Sequence, residues 1–183
     1  GNVQNQKGVI VAGQSLAVQS QNLDNTEGTL HTEKADLTLN TQGQLINQQG
    51  DIYAGQNANL NTQSLINNAG QIASQKQLKI DTQQKQLSNQ SGKIISKVVD
   101  LKTGTLDNQA GLIQGEQSVK VDTHNHALLN NNSGDQAGIL SQGSLEIANV
   151  SQLDNISGYI AAVGSANITA QNLNNNKGQI NSQ

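Results

Sequence analysis

The chain contains no proline, cysteine, methionine, tryptophan, phenylalanine or arginine, so its 10 basic residues are all lysine. Tyr53 and Tyr159 are the only aromatic residues in 183. A globular domain of this length ordinarily draws much of its buried area from aromatic side chains. Any core here must therefore be narrow and lined by Leu, Ile, Val and Ala. The lack of cysteine excludes a disulfide scaffold but leaves the compartment open. No apolar run approaches the ~20 residues of a membrane span, and Gly1-Asn2-Val3-Gln4 does not read as a signal peptide. A formal charge of -3 without a basic cluster argues against nucleic acid or an anionic membrane surface as partner.

What is present in quantity is Asn and Gln, and mean hydropathy is -0.53. By composition alone this describes a polar, disordered or aggregation-prone segment. Order along the chain overturns that reading. An apolar residue, Asn two positions on and Gly three further on recur from end to end. The apolar positions are Val3, Leu23, Leu45, Leu65, Leu87, Leu106, Leu128, Leu153 and Leu173, with a mean spacing of about 21 residues. The Asn is present in all nine copies, as Asn5, Asn25, Asn47, Asn67, Asn89, Asn108, Asn130, Asn155 and Asn175. Eight copies carry the Gly, and the seventh has Ser133 in its place, followed by Gly134 and Gly138.

Two residues after each Gly stands an aliphatic residue such as Leu30, Ile52 or Ile72. A short alternating run follows, for example Leu37-Thr38-Leu39, Leu78-Lys79-Ile80 and Val119-Lys120-Val121. Alternation of period two marks strands with one buried face, and no segment shows helical spacing. Two or three short strands and a Gly turn in about 21 residues make one coil of a parallel β-helix, of which the chain holds 8–9. Coils stacked about 4.8 Å apart give a rod of roughly 40 Å. The missing prolines follow, because each would delete a ladder hydrogen bond.

In this fold the Asn column is expected to form an amide ladder at a turn, helped by its tolerance of left-handed backbone, with Gly at the other positive-φ position. A hydroxyl column (Ser20, Thr41, Thr62, Thr82, Thr103, Thr123) should mark the following corner. On the outer face of the alternating run, Lys79, Asp100, Lys120 and Glu146 should stack, as should Asp81, Lys102 and Asp122. Both columns alternate in sign, which favours this register and opposes slipped ones.

The unit Leu-Xaa-Asn-Xaa-Xaa-Gly-Xaa-Ile, as in Leu65 to Ile72 and Leu173 to Ile180, resembles the haemagglutinin repeats of filamentous haemagglutinin-like exoproteins. That resemblance implies an all-β, right-handed parallel β-helix on a Gram-negative cell surface. It also implies secretion through an outer-membrane two-partner-secretion transporter. The family includes adhesins and the toxin-delivery proteins of contact-dependent growth inhibition. Residues 1–183 are expected to be a single repeat segment of a longer array, capable of end-to-end self-association.

Chemistry is sparse. Lyases and hydrolases built on β-helices need clustered carboxylates or a basic residue placed for proton abstraction. Here the 13 carboxylates are scattered or alternate with lysine. We assign no catalytic, cofactor-binding or metal-binding residues and expect no enzyme activity and no cofactor. His124-Asn125-His126 could present two rings on one strand face, but without a further ligand it reads as a solvated turn. His31 reads as an isolated surface residue, and the two tyrosines as too distant to form a platform. Sequons at Asn131, Asn149, Asn155 and Asn167 mean little in so Asn-rich a chain. The longest interval, Leu128 to Leu153, implies a loop over 130–138. That loop or a flank is the place for a receptor or glycan contact if the rod is itself adhesive.

Overall fold

The computed structural model describes residues 1–134 and 136–183, and every regular element among them is a β-strand. Each strand pairs in parallel with its counterparts one coil before and one coil after, which makes a β-solenoid. One coil shows the plan. A first strand, Gln44–Ile46, runs into the Asn47-to-Gly50 turn. A second strand, Asp51–Ala54, turns a corner into a third, Ala58–Asn61. In two later coils the second and third strands run together, in Lys93–Lys102 and Leu112–Leu129. From Leu112–Leu129 onward the third strand also continues into the next first strand, as in Ser144–Asp154.

The solenoid has three faces, and each strand sends alternate side chains inward. The first face contributes a leucine column that includes Leu23, Leu45 and Leu65. The second contributes Leu30, Ile52, Ile72, Ile94, Ile113, Ile139 and Ile160. The third contributes pairs such as Leu39 with Leu37 and Ile80 with Leu78. All of these are at most 1% exposed. At about 25 cal/mol per Å² of apolar area, this column of aliphatic layers supplies the main stabilising force. No ring enters it. Tyr53 pairs with His31 and Ala73 on the outer side of the second face, where nothing requires the next coil to repeat its bulk.

The expected charge columns form in the stated register. Lys79 pairs with Asp100, Asp100 with Lys120, and Lys120 with Glu146. Asp81 pairs with Lys102, and Lys102 with Asp122. Only Lys120 and Glu146 close to an ion pair, at 3.2 Å, and both are about half exposed. Such a pair is worth roughly 0.2–1 kcal/mol, so the columns act more on register than on stability. The hydroxyl column is buried at the corner after the third strand, where Thr82 donates to Lys85 O at 2.6 Å and Thr123 to His126 O at 2.8 Å.

Candidate functional surface

The Asn turn is built from one repeated arrangement. Asn5 Nδ2 donates to Asn25 Oδ1, Asn25 to Asn47, and so on to Asn175, eight bonds of 2.7–2.8 Å without a break. Each of the amides from Asn25 to Asn155 is fully buried. Their second hydrogens reach backbone carbonyls of the turn, as from Asn47 to Gly50 O at 3.1 Å and Gln71 O at 3.0 Å. Asn suits the column because its amide both accepts and donates, so every copy satisfies its neighbours.

The expected backbone roles of Asn and Gly need correction. The ladder asparagines are not left-handed. The left-handed position is the residue before the Gly: Lys7, Glu27, Gln49, Ala69, Ser91, Ala110, Asn132, Ser157 and Lys177, at φ of 50–57°. Glycine is required for space. A Cβ on Gly28, Gly50, Gly70, Gly92, Gly111, Gly158 or Gly178 would lie 2.0–2.2 Å from the ladder Asn carbonyl oxygen of the preceding coil. The turn passes that carbonyl too closely for any side chain.

The seventh turn departs as its spacing implies, and the departure is smaller than 130–138. Gly138 N donates to Gly111 O at 2.8 Å, the bond that the residue after the Gly makes in other coils. Gly138 therefore aligns with Leu112, and Ile139 takes the core place beside Ile113. The extra residues are 134–137. Ser133 occupies the glycine's place, is buried, and its hydroxyl donates to Asn130 O at 3.3 Å. Gly134 and Gly138 have positive φ, 60° and 112°. Asp135, within the expected loop, lies outside the described residues.

The His pair lies at a sharp corner. His124 and Asn125 have φ of 49° and 63°, so extended geometry does not align the two rings. His124 Nδ1 is 3.1 Å from Thr103 O, and His126 Nδ1 is 3.0 Å from Thr123 O. Burial works to raise the Asp122 carboxyl. Hydrogen bonds from His124 N–H and Asn149 Nδ2, with the charges of His124 and Lys120, outweigh it and hold the group below the usual carboxylate range. Asp24 is likewise held low against burial, by the Thr26 hydroxyl and N–H and the Gln6 amide. No group of three or more His, Cys, Asp or Glu side chains suited to a metal exists among the described residues.

The second face carries features that spacing did not reveal. His31 is not isolated, because its ring lies 4.8 Å from that of Tyr53, tilted by 52°. Gln75 Nε2 donates to the Tyr53 hydroxyl. Burial pushes the Asp51 carboxyl up, partly offset by His31, and its Oδ1 is buried without a hydrogen-bond partner. Both tyrosines are on this face, in adjacent outward columns five coils apart. Tyr159 stands between two open depressions. One, of about 350 Å³, is bounded by Gly134, Gly158, Lys177 and Gln179, and the other, of about 580 Å³, by Leu140, Ala161 and Val163. The positions one and three after each Gly were the available signal, since they alternate with the core residue and point outward.

No curated protein and no solved structure matches this chain. Residues 1–49 match the family model of the Haemagglutinin repeat, the family that the Leu-Xaa-Asn-Xaa-Xaa-Gly-Xaa-Ile unit resembles.

Proposed function

We propose that this chain is a rod segment of a secreted filament of the filamentous haemagglutinin type, on a Gram-negative cell surface. In this reading the parent protein leaves through an outer-membrane two-partner-secretion transporter and presents adhesive or toxin parts to other cells. The observation that carries the reading is the unbroken amide ladder. A buried column of hydrogen bonds running from Asn5 to Asn175 makes a stiff spacer, and each coil adds about 4.8 Å of length. The haemagglutinin-repeat match supports the same assignment.

The test is to remove two whole coils, residues 25–66, from the parent filament, which rejoins Asp24 to Asn67 in register. The expected result is a secreted filament shortened by about 10 Å that still engages target cells. Secretion with loss of target engagement would overturn the spacer reading. The inserted loop beside Tyr159 favours a second reading, in which the segment is itself a receptor- or glycan-binding module. Saturable binding of the labelled segment to target cells, abolished by deleting 134–137, would establish that reading instead.

A further inference from the structure

The outer side of the second face differs from the rest of the surface. Its two outward columns are set by register. One runs Val9, Thr29, Asp51, Gln71, Lys93, Leu112 and Gly138. The other runs Val11, His31, Tyr53, Ala73, Ile95, Gln114 and Leu140. Within these two columns the only formal charges are Asp51 and Lys93, which stand in one column two coils apart. Neither has an ion-pair partner within 4 Å among the described residues. Val9 and Val11 are 70% and 54% exposed.

We propose that this face binds a second copy of the chain, with the two rods antiparallel and related by a two-fold axis at the Gln71–Ala73 coil. Face-to-face packing about an axis along the strands keeps each column opposite itself and reverses the order of coils. Asp51 then meets Lys93 of the second copy, and Lys93 meets its Asp51. Tyr53 lies opposite Ile95, Val11 opposite Leu140, His31 opposite Gln114, and Ala73 opposite itself.

The charges select this arrangement over the alternatives. Centring the axis one coil earlier would set Asp51 against Asp51, and one coil later Lys93 against Lys93. Parallel rods would exchange the columns, setting Asp51 against Tyr53 and Lys93 against Ile95 and leaving both charges unpaired. Charge complementarity of this kind fixes register and excludes wrong partners. The third face offers no such isolated pair, because its lysines and carboxylates alternate in sign from coil to coil within each column.

The area sets the strength. Four residues by seven coils cover about 13 Å by 34 Å, so one segment contributes well under the ~800 Å² per partner of a standard interface. A single pair of segments associates weakly, and longer rods gain by repetition.

Sedimentation equilibrium of the whole chain from about 10 μM to about 1 mM, the range suited to a weak interface, reads the association directly. The native chain should dimerise. Asp51→Lys alone and Lys93→Asp alone should each weaken dimerisation at least ~10-fold, since each places two like-charge contacts in the interface. An equimolar mixture of the two variants should form heterodimers, and the double variant should regain self-association. Circular dichroism confirms that the variants keep the native β-signal. A native chain that stays monomeric to ~1 mM overturns the proposal, as does a mixture that associates no better than its components.

Discussion

Eight Asn turns and the turn at Asn130 solve the same problem differently. In the eight, the chain must return to the second strand at once, and in the seven that follow another coil it passes that coil's Asn carbonyl so closely that only Gly fits. At Asn130 the chain continues through four extra residues before Gly138 resumes the coil, and Ser133 is accepted in the glycine's place. The amide ladder crosses this turn unchanged, with Asn108 to Asn130 and Asn130 to Asn155 both at 2.8 Å. The Gly requirement therefore belongs to the short path, while the Asn requirement belongs to the stack. A loop placed after the ladder residue costs only its closure entropy, which grows slowly with length.

The comparison can be broken most severely at a regular glycine. Gly70→Ala would set a Cβ 2.0 Å from Asn47 O, and should destabilise by about 3 kcal/mol in urea titration. Ser133→Gly, at the same place in the irregular turn, should change stability by less than about 1 kcal/mol. A large loss at Ser133 would mean that the two turns obey one constraint after all.

Next in size is the ladder itself. Asn89→Ala leaves buried partners on both sides, Asn67 Nδ2 and Asn108 Oδ1, without their bonds. It should cost about 2–3 kcal/mol, whereas Asn175→Ala, at an exposed amide, should cost much less. Hydrogen exchange should show whether the damage spreads along the stack or stays in adjoining coils.

Removing residues 134–137 together with Ser133→Gly converts the irregular turn to the regular form. Thermal unfolding should show stability unchanged or raised by up to about 1 kcal/mol, since a flexible closure is deleted and no core residue is touched. A large loss would instead give the loop a packing role.

The smallest effects belong to the outer charges. Lys120→Glu sets three carboxylates in consecutive coils and should cost about 0.2–1 kcal/mol, less in high salt. Titration carries a sign that can be checked. Asp24 and Asp122 are held below the usual range, so their contribution is present above the unfolded-state carboxylate pKa and is lost as pH falls through their folded values. Asp51 is raised, so ionising it disfavours the folded state as pH rises above the unfolded value. In dilute monomer, Asp51→Asn should raise the melting temperature near pH 7 and leave it unaltered near pH 3. Asp122→Asn should flatten the acid side of the stability profile.

Much of the molecule was legible in the order of its residues. Nine copies of one Asn in one spacing specify the coil, the ladder and the register, because stacked equivalents must satisfy one another's hydrogen bonds in every coil. The alternating signs of Lys79, Asp100, Lys120 and Glu146 carried the pairing correctly. Identity of the residue could not say why it was needed, and the glycine column shows this. Its role is a close approach to a carbonyl one coil away, a contact between residues some 20 positions apart. The left-handed backbone fell on whichever residue preceded it, including Ala69 and Ala110, because the turn path dictates φ there and the side chain at that position is free. Tertiary structure also decided the neighbours on the second face. Tyr53 and His31 each stand three residues after a turn Gly, and Asp51 and Lys93 each one after, so register aligns them. The 4.8 Å approach of the two rings and the burial of Asp51 Oδ1 are set by packing between coils. Local pattern therefore defines each strand and its register, while only the closed stack defines what each outward side chain touches.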